Sequence, residues 1–120
     1  MVLVVDDSAL IRWGAVDIVE SADYAALQAQ DADEAILILK SRDDIDLVFT
    51  DVQMPGTMDG VKLSHYIRHR WPLMKLIVAS GAVMLDQNSL PPGSKFFAKP
   101  YTDSEITCAM ARLLARGGSV

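Results

Sequence analysis

The sequence lacks the features that mark several large classes of protein. It has one cysteine among 120 residues, Cys108, so it cannot form an internal disulfide, and this fits a reducing compartment. No apolar run approaches the ~20 residues that span a bilayer, and no signal-peptide pattern opens the chain. The net charge is −5 and no basic run exceeds Arg68-His69-Arg70. We therefore expect a soluble cytoplasmic protein that contacts neither a membrane nor nucleic acid directly.

Length and composition are those of one globular domain. Hydrophobic residues make up 51% of the chain and charged residues 22%, which is an ordinary balance for a domain with a single core. No repeat, low-complexity tract or internal linker interrupts the sequence. We expect one domain over residues 1–116, followed by a tail or the start of a linker at 117–120.

Apolar clusters alternate along the chain with segments of helical periodicity. Short apolar runs predict strands at residues 2–5, 24–29, 46–50, 75–80 and 95–98. Helical spacing predicts helices at 8–22, 31–42, 59–71 and from 102 onward. Between residues 82 and 93, Pro91 and Pro92 leave room only for a short or irregular helix. This alternation implies βαβ units and a parallel sheet covered on both sides.

Three helix starts carry capping residues. Asp31 with Glu34, and Thr102 with Glu105, have the spacing of a capping box, in which each side chain satisfies a free backbone amide of the other residue. Asp59 is placed to cap the helix that follows it.

The first helix has an apolar stripe and an unusual glycine. The stripe places five residues at helical spacing: Ile11, Ala15, Ile18, Val19 and Ala22. Gly14 lies in the middle of this helix, where glycine costs ~1 kcal/mol relative to alanine, so we expect close packing there.

Polar side chains follow four of the predicted strands. Asp6 and Asp7 follow the first strand, Asp51 the third, Ser80 the fourth and Lys99 the fifth. Because function gathers at the carboxyl ends of the strands in open parallel sheets, we expect these groups to converge. Three carboxylates in one place repel each other, which a hard divalent cation or the lysine would relieve. Oxygen ligands without a dedicated cage suit Mg²⁺.

Each of these residues also has an ordinary structural interpretation. An aspartate at a strand end is more often a turn former or a helix cap, and Ser80 before Gly81 is compatible with a simple turn. Taken singly, the structural interpretation is favoured. The same residues in this order at one edge favour a functional site.

Four segments resemble the response-regulator receiver domain, the CheY-like family: VLVVDD (2–7), TDVQMPGTMDG (50–60), IVASG (77–81) and FFAKPY (96–101). The resemblance covers nearly the whole chain. It implies a flavodoxin-like (βα)5 doubly wound α/β sandwich with a five-stranded parallel sheet in the order 2-1-3-4-5. It also implies that the domain accepts a phosphoryl group from the phosphohistidine of a histidine kinase or a histidine phosphotransfer protein and then changes the shape of one face.

By position in these motifs, Asp51 would be the phosphoacceptor. The resemblance implies that Asp7, Asp51 and the backbone carbonyl of Gln53 ligate Mg²⁺ directly, with Mn²⁺ as a possible substitute, and that Asp6 holds the metal through water. Ser80 and Lys99 would each contact a phosphoryl oxygen. The bond between Lys99 and Pro100 is expected to be cis.

The resemblance assigns the conformational switch to Ser80 and Phe96. In relatives the hydroxyl residue moves toward the phosphoryl group and an aromatic residue three positions before the lysine turns inward. Phe96 lacks the hydroxyl group of a tyrosine, so a hydrogen bond cannot fix its inward state.

Two spacings depart from the family pattern. The segment from Met54 to Asp59 is one residue longer than the commonest family spacing. The segment between Ser80 and Lys99 is short, which puts the usual family dimer in doubt and leaves a monomer or a weak dimer. The downstream protein target is unknown.

Leu10 and Trp13 are candidates for partner docking. Trp13 falls off the apolar stripe of the first helix, and receivers meet their histidine donors beside this helix. A partly covered aromatic residue without a partner is the alternative. His65 and His69, four residues apart, have a spacing that can bind zinc, but without a third ligand a solvated basic helix face is favoured.

Two other functions remain as alternatives. A haloacid-dehalogenase-like phosphatase also uses an aspartate nucleophile and Mg²⁺, but it has a second aspartate where this chain has Gln53. A degenerate receiver would bind proteins without phosphorylation, against which the intact acidic set argues. The domain is expected to phosphorylate and dephosphorylate itself without acting as an enzyme on other substrates, either alone or within a hybrid histidine kinase.

Overall fold

The computed structural model describes residues 1–53, 58–81 and 89–114, and they form a parallel sheet flanked by helices. Its strands are β1 (Val2–Val5), β2 (Ala26–Ala29), β3 (Leu47–Asp51), β4 (Lys75–Ser80) and β5 (Lys95–Ala98). All neighbouring strands pair in parallel, in the order β2-β1-β3-β4-β5. The predicted sheet and its strand order are confirmed.

Among the described residues, four helices cover the two faces of the sheet: α1 (Ala9–Ser21), α2 (Ala32–Ser41), α3 (Gly60–Arg70) and α4 (Asp103–Leu114). Successive side chains of β1 point to opposite faces of the sheet. Val2 and Val4 lie in a core cluster with residues of α1 and α4, such as Ile18 and Met110. Their neighbours Leu3 and Val5 lie in a second cluster, which contains Leu39, Leu63 and Ile67 from α2 and α3. Burial on both faces explains why β1 consists entirely of branched apolar residues.

The helix starts are capped as the sequence predicts. Asp31 accepts a hydrogen bond from the Glu34 amide at 2.8 Å, while the Glu34 side chain accepts one from the Gln30 amide at 2.7 Å, one residue earlier than in a standard capping box. Thr102 and Glu105 form the reciprocal pair. The Asp59 side chain accepts from the amide of Lys62.

The predicted packing of α1 is wrong at two positions. Ile11, which the apolar stripe places in the core, is exposed, as are its neighbours Leu10 and Trp13. A Cβ added to Gly14 would meet nothing within 4 Å, so this glycine faces solvent and does not serve close packing. The outer face of α1 is therefore more apolar than a solvated helix requires.

Several predictions fall outside the described residues. They are the short helix between residues 82 and 93, of which 82–88 lie outside, the enlarged loop from Met54 to Asp59, of which 54–57 lie outside, and the domain boundary at 116 with the tail at 117–120. All of these stay predictions. Within the described ranges, no helix is long and apolar enough to cross a membrane.

Candidate functional site

The parallel strands deliver four polar residues to one edge of the sheet. Asp51 is the last residue of β3 and Ser80 the last of β4, while Asp6 and Lys99 follow β1 and β5. Backbone hydrogen bonds hold these strand ends in register: the Lys99 amide donates to the Ser80 carbonyl at 2.9 Å, and the Asp6 amide donates to the Ala29 carbonyl at 3.1 Å. The sheet itself therefore fixes where these side chains start.

Three carboxylates meet at this edge. One oxygen each from Asp6, Asp7 and Asp51 lie within 4.8 Å of one another. Asp6 and Asp51 are buried, while Asp7 is exposed. At this separation the charges repel each other strongly wherever water is excluded, so the cluster needs a compensating cation.

Lys99 supplies part of that compensation. Its Nζ lies 3.0 Å from Asp51 Oδ1 and 3.9 Å from Asp6 Oδ2. The lysine thus approaches both buried carboxylates from the β5 side of the site. One positive charge against three negative charges leaves the cluster anionic.

The pKa of Asp6 reflects this environment. Burial raises the pKa of its carboxyl above the usual value, the hydrogen bond from the Ser8 amide to Oδ1 opposes this rise, and the neighbouring Asp51 charge adds to it. Burial also raises the pKa of the Tyr101 hydroxyl, and the charges of Asp6 and Asp51 act in the same direction. Both shifts express a site in which negative charge is crowded and poorly hydrated.

The donor set fits a hard divalent cation. Asp51 Oδ1 is buried and accepts no hydrogen bond from the described residues, because the contact with Lys99 is an ion pair whose geometry falls short of one. A buried carboxylate oxygen without a hydrogen bond is costly unless another group uses it. Three carboxylates and no nitrogen or sulfur ligand among the described residues are the chemistry that Mg²⁺ prefers.

Two glycines allow the backbone and Lys99 to close around Asp51. A Cβ on Gly60 would lie 2.1 Å from the carbonyl oxygen of Asp51, and the Gly60 amide donates to the Val52 carbonyl at 2.8 Å. A Cβ on Gly81 would come within 3.3 Å of the Lys99 side chain. The start of α3 can therefore approach Asp51 only because Gly60 has no side chain, whereas a side chain at Gly81 would crowd Lys99 by a few tenths of an ångström.

The chain is similar to receiver domains throughout its length. A family model described as "Response regulator receiver domain" matches residues 2–111. This chain belongs to the response regulator receiver domain family. Receiver domains are the phosphoacceptor modules of two-component systems and are not enzymes in the usual sense. They interact with histidine kinases or phosphotransfer proteins and bind Mg²⁺ at an acidic pocket, which here corresponds to the cluster of Asp6, Asp7 and Asp51.

Individual relatives agree with this assignment. The sensor kinase CckA of Brucella abortus (strain 2308) is 31% identical over 119 residues, which are 96% of this chain and 12% of that protein. A receiver domain structure from Clostridium thermocellum matches with a TM-score of 0.89 at 25% identity, covering 98% of this chain and 96% of that one. The response regulator TrrA of Thermotoga maritima, solved in complex with Mg²⁺-BeF, matches with a TM-score of 0.82 at 25% identity, covering 94% and 97%.

The receiver spans only part of its curated relatives. It covers 12%, 18% and 48% of the length of three of them. Nothing in the comparisons supports the dehalogenase-like phosphatase.

The other predicted residues differ in exposure. Gln53 is exposed, two residues beyond Asp51, and Ser80 is buried. Phe96 is half-buried and packs against a small cluster of Val52, Val78 and Leu90. Leu10 and Trp13 are 77% and 55% exposed, and the Lys99-Pro100 bond is cis.

The histidine pair on α3 does not form part of a metal cluster among the described residues. The Nε2 atom of His65 hydrogen-bonds the Ser89 carbonyl at 2.7 Å, and both His65 and His69 are exposed. These contacts agree with a solvated helix face.

Sequence reasoning missed three residues at the site. Arg12 donates a hydrogen bond to the Asp6 carbonyl. Gly60 has no side chain that would collide with the Asp51 carbonyl. Tyr101 lines a small cavity of about 10 Å³ beside Asp6 and Asp51. The glycine after the Asp59 cap was a usable sign, because a glycine at the first turn of a helix often marks close backbone approach. Nothing in the local sequence distinguishes Arg12 from any other polar helix residue.

Proposed function

We propose that this receiver takes a phosphoryl group from a phosphohistidine onto Asp51 and thereby switches its contacts with other proteins. The observation that carries this proposal is the buried Asp51 carboxylate, one of whose oxygens faces Lys99 and lies without a hydrogen bond among the described residues. In the transfer, the phosphorus–nitrogen bond of the donor breaks and a phosphorus–oxygen bond to the carboxylate forms. The donor leaves as a neutral imidazole after taking up a proton.

The chain's own groups position the incoming phosphoryl group. Lys99 and Ser80 flank Asp51 from the neighbouring strand ends, where an ammonium and a hydroxyl can each stabilise one phosphoryl oxygen. Asp7, Asp51 and the Gln53 carbonyl would hold Mg²⁺ directly and Asp6 through water, and Mn²⁺ would substitute. The bound cation supplies charge neutralisation. Dephosphorylation by the chain itself is hydrolysis, in which water attacks phosphorus and the phosphorus–oxygen bond to Asp51 breaks.

The switch that we infer involves Ser80 and Phe96. Ser80 pairs with Ala98 in the sheet and Phe96 with Val78, so the two residues lie on neighbouring strands that share hydrogen bonds. A movement of Ser80 toward a phosphoryl group on Asp51 would change the space beside the half-buried ring of Phe96. The face around β5 is then the surface that responds.

We infer that the donor protein docks on α1. Leu10 and Trp13 form an exposed apolar pair on the helix that begins three residues after Asp6. An exposed aromatic residue next to an aliphatic one is the type of surface that supplies affinity at protein interfaces. We infer that a histidine kinase or histidine phosphotransfer protein contacts this pair.

The setting of the domain follows from the same proposal. The receiver domain comprises residues 1–116 and acts in the cytoplasm. It is either a stand-alone protein or joined to a kinase, and it is a monomer or a weak dimer. The Brucella relative is named a sensor kinase, which supports a place within a larger protein.

Labelling by a small phosphodonor tests the acceptor assignment. With Mg²⁺ present, intact-mass analysis should show one added phosphoryl group on the wild-type chain and none on Asp51→Asn. Asp43→Asn removes an exposed carboxylate remote from the cluster and should label normally. Unchanged labelling of Asp51→Asn would overturn the proposal.

Transfer from a protein tests the docking surface separately. The donor is a phosphorylated histidine protein that labels the wild-type chain. Trp13→Ala should slow transfer from it by roughly tenfold or more, as loss of an interface aromatic does, and leave labelling by the small phosphodonor unchanged. Leu73→Ala, which truncates another exposed apolar residue, is the control. Equal slowing with both donors would exclude a docking role for Trp13.

A further inference from the structure

The turn that carries Asp6 and Asp7 is held at three points. The Asp6 amide donates to the Ala29 carbonyl, the Ser8 amide donates to Asp6 Oδ1 at 3.0 Å, and the Asp6 carbonyl accepts a hydrogen bond from Arg12 Nη1 at 2.8 Å. The first is a backbone hydrogen bond to the adjacent strand, and the second runs from the backbone of the turn to the Asp6 side chain. Arg12 is the one described side chain that hydrogen-bonds this turn's backbone from α1.

The atom that Arg12 contacts is informative. The Asp6 carbonyl belongs to the peptide unit that joins Asp6 to Asp7. Because a peptide unit is planar, a hydrogen bond to this carbonyl restrains the orientation of the peptide that links the Cα atoms of both acidic residues. The exposed Asp7 has no other described contact that would restrain it.

Arg12 is itself braced. Its Nε donates to Gln28 Oε1 on β2 at 2.9 Å, so the guanidinium spans from the end of β1 to the neighbouring strand. A planar guanidinium can serve two acceptors in a fixed geometry, whereas a lysine ammonium on a flexible stem cannot reproduce this bridge. The arrangement is that of a support behind a ligand set.

The charge of Arg12 does not explain its position. A cation placed near a site for a divalent cation would weaken binding through repulsion. The hydrogen-bond geometry is therefore the property that the site gains from this residue.

We propose that Arg12 is a positioning residue for the divalent-cation site, acting through the Asp6–Asp7 peptide, with Gln28 as its brace. The proposal rests on the metal site of the proposed function. It makes a prediction opposite in sign to that of simple charge removal. Loss of the arginine weakens Mg²⁺ binding even though a nearby positive charge is removed.

Calorimetric titration with Mg²⁺ tests this directly, with urea unfolding in metal-free buffer as a check on folding. Arg12→Ala should raise the Mg²⁺ dissociation constant roughly tenfold, as loss of supporting contacts behind metal ligands does. Gln28→Ala keeps every charge and should shift the constant in the same direction by less. Arg12→Lys should fall between the wild type and Arg12→Ala. Arg112→Ala removes an exposed arginine on α4 and should have no effect.

A second readout separates positioning from general destabilisation. The labelling rate of Arg12→Ala with a small phosphodonor should return to the wild-type rate at saturating Mg²⁺. A rate reduced by the same factor at every Mg²⁺ concentration, or a dissociation constant that stays equal or falls, would overturn the proposal. If Arg12→Ala does not fold, the Gln28→Ala titration decides between these outcomes.

Failure of the proposed function has a different signature. A wild-type chain that binds Mg²⁺ but is never labelled contradicts phosphoryl transfer to Asp51 and leaves the role of Arg12 intact. A wild-type chain that binds no Mg²⁺ contradicts both.

Discussion

The carboxyl ends of the parallel strands form the carboxyl edge of the sheet, and their amino ends form the amino edge. The two edges differ in how charged groups are arranged. At the carboxyl edge, Asp6 and Asp51 are buried beside each other with one lysine between them. At the amino edge, charges are exposed and paired: Arg42 with Asp44 at 2.7 Å, and the amino group of Met1 with Asp46 at 2.9 Å. The same fold therefore satisfies charge at one edge and concentrates it at the other.

Each edge has a buried polar side-chain atom without a hydrogen bond among the described residues: Arg68 Nε at the amino edge and Asp51 Oδ1 at the carboxyl edge. Arg68 nevertheless donates from Nη1 to the carbonyls of Pro72 and Met74 and so ties the turn after α3. Asp51, in contrast, lies next to a second buried carboxylate, that of Asp6. Unfavourable burial of like charges is expected where a site is built to bind a cation and a phosphoryl group. We expect substitutions at the two edges to separate stability from function.

The largest effect should follow from closing the space that Gly60 leaves open. Its Cβ would collide with the backbone oxygen of Asp51, and neither group can rotate away. Gly60→Ala should lower the free energy of unfolding by about 3 kcal/mol, as overpacking against backbone does, and should impair labelling by a small phosphodonor. Urea unfolding and intact-mass analysis would measure the two effects.

Gly14→Ala is the matched control for this prediction. Nothing lies within 4 Å of the position of its Cβ, and it is exposed next to the exposed Trp13 on α1. The substitution should raise the free energy of unfolding by roughly 0.5–1 kcal/mol through helix propensity. A loss of stability at Gly14, or no loss at Gly60, would contradict the assigned packing.

At the amino edge, Arg68→Met should cost stability and spare function. Two hydrogen bonds from one charged group are lost, so the free energy of unfolding should fall by about 2 kcal/mol. Binding of Mg²⁺ and labelling of the folded protein should stay at wild-type levels. Arg42→Met removes only an exposed ion pair and should leave unfolding unchanged. Reduced Mg²⁺ affinity in Arg68→Met would show that the two edges are coupled.

The fold was largely predictable because its pattern is local and repeated. Strands buried on both faces must be apolar throughout, and capping residues mark helix starts, so β1 and the helix after Asp59 could be placed from sequence. The error at Ile11 has a physical reason. An apolar residue at helical spacing is consistent with the core and with an exposed docking face, and periodicity does not separate them. The prediction of close packing at Gly14 was wrong for a similar reason, because the sequence does not say whether a neighbouring residue or water lies beside a glycine.

The charged residues of the site could be predicted from the sequence, but the residue that holds their backbone, Arg12, could not. Convergence of strand ends follows from parallel topology alone, which brings Asp6, Asp51 and Lys99 together. Arg12 acts on a backbone carbonyl and on a side chain of another strand. Such a contact depends on the relative placement of α1 and β2, and no spacing rule encodes it.

The smallest expected effect concerns Asp6 and has a defined pH dependence in metal-free buffer. Below the ordinary aspartate pKa of 3.8, Asp6 is protonated in both the folded and unfolded states, so its burial costs no charge. As the pH rises, the unfolded chain ionises first and the folded chain only above its raised pKa, and the wild type loses stability across this range. An asparagine at this position cannot ionise, and its side-chain oxygen can still accept from the Ser8 amide. Asp6→Asn should therefore be more stable than the wild type at neutral pH, with the difference vanishing toward pH 3.

Mg²⁺ provides the control for the Asp6 prediction. Saturating Mg²⁺ should reverse the order of stability, because the ion stabilises the wild-type site more than the variant. Urea unfolding at several pH values, with a chelator or with Mg²⁺, measures both parts. A variant less stable than the wild type in chelator would mean that the Lys99 contact outweighs burial and like-charge repulsion, and that the carboxyl edge is not strained as its geometry indicates.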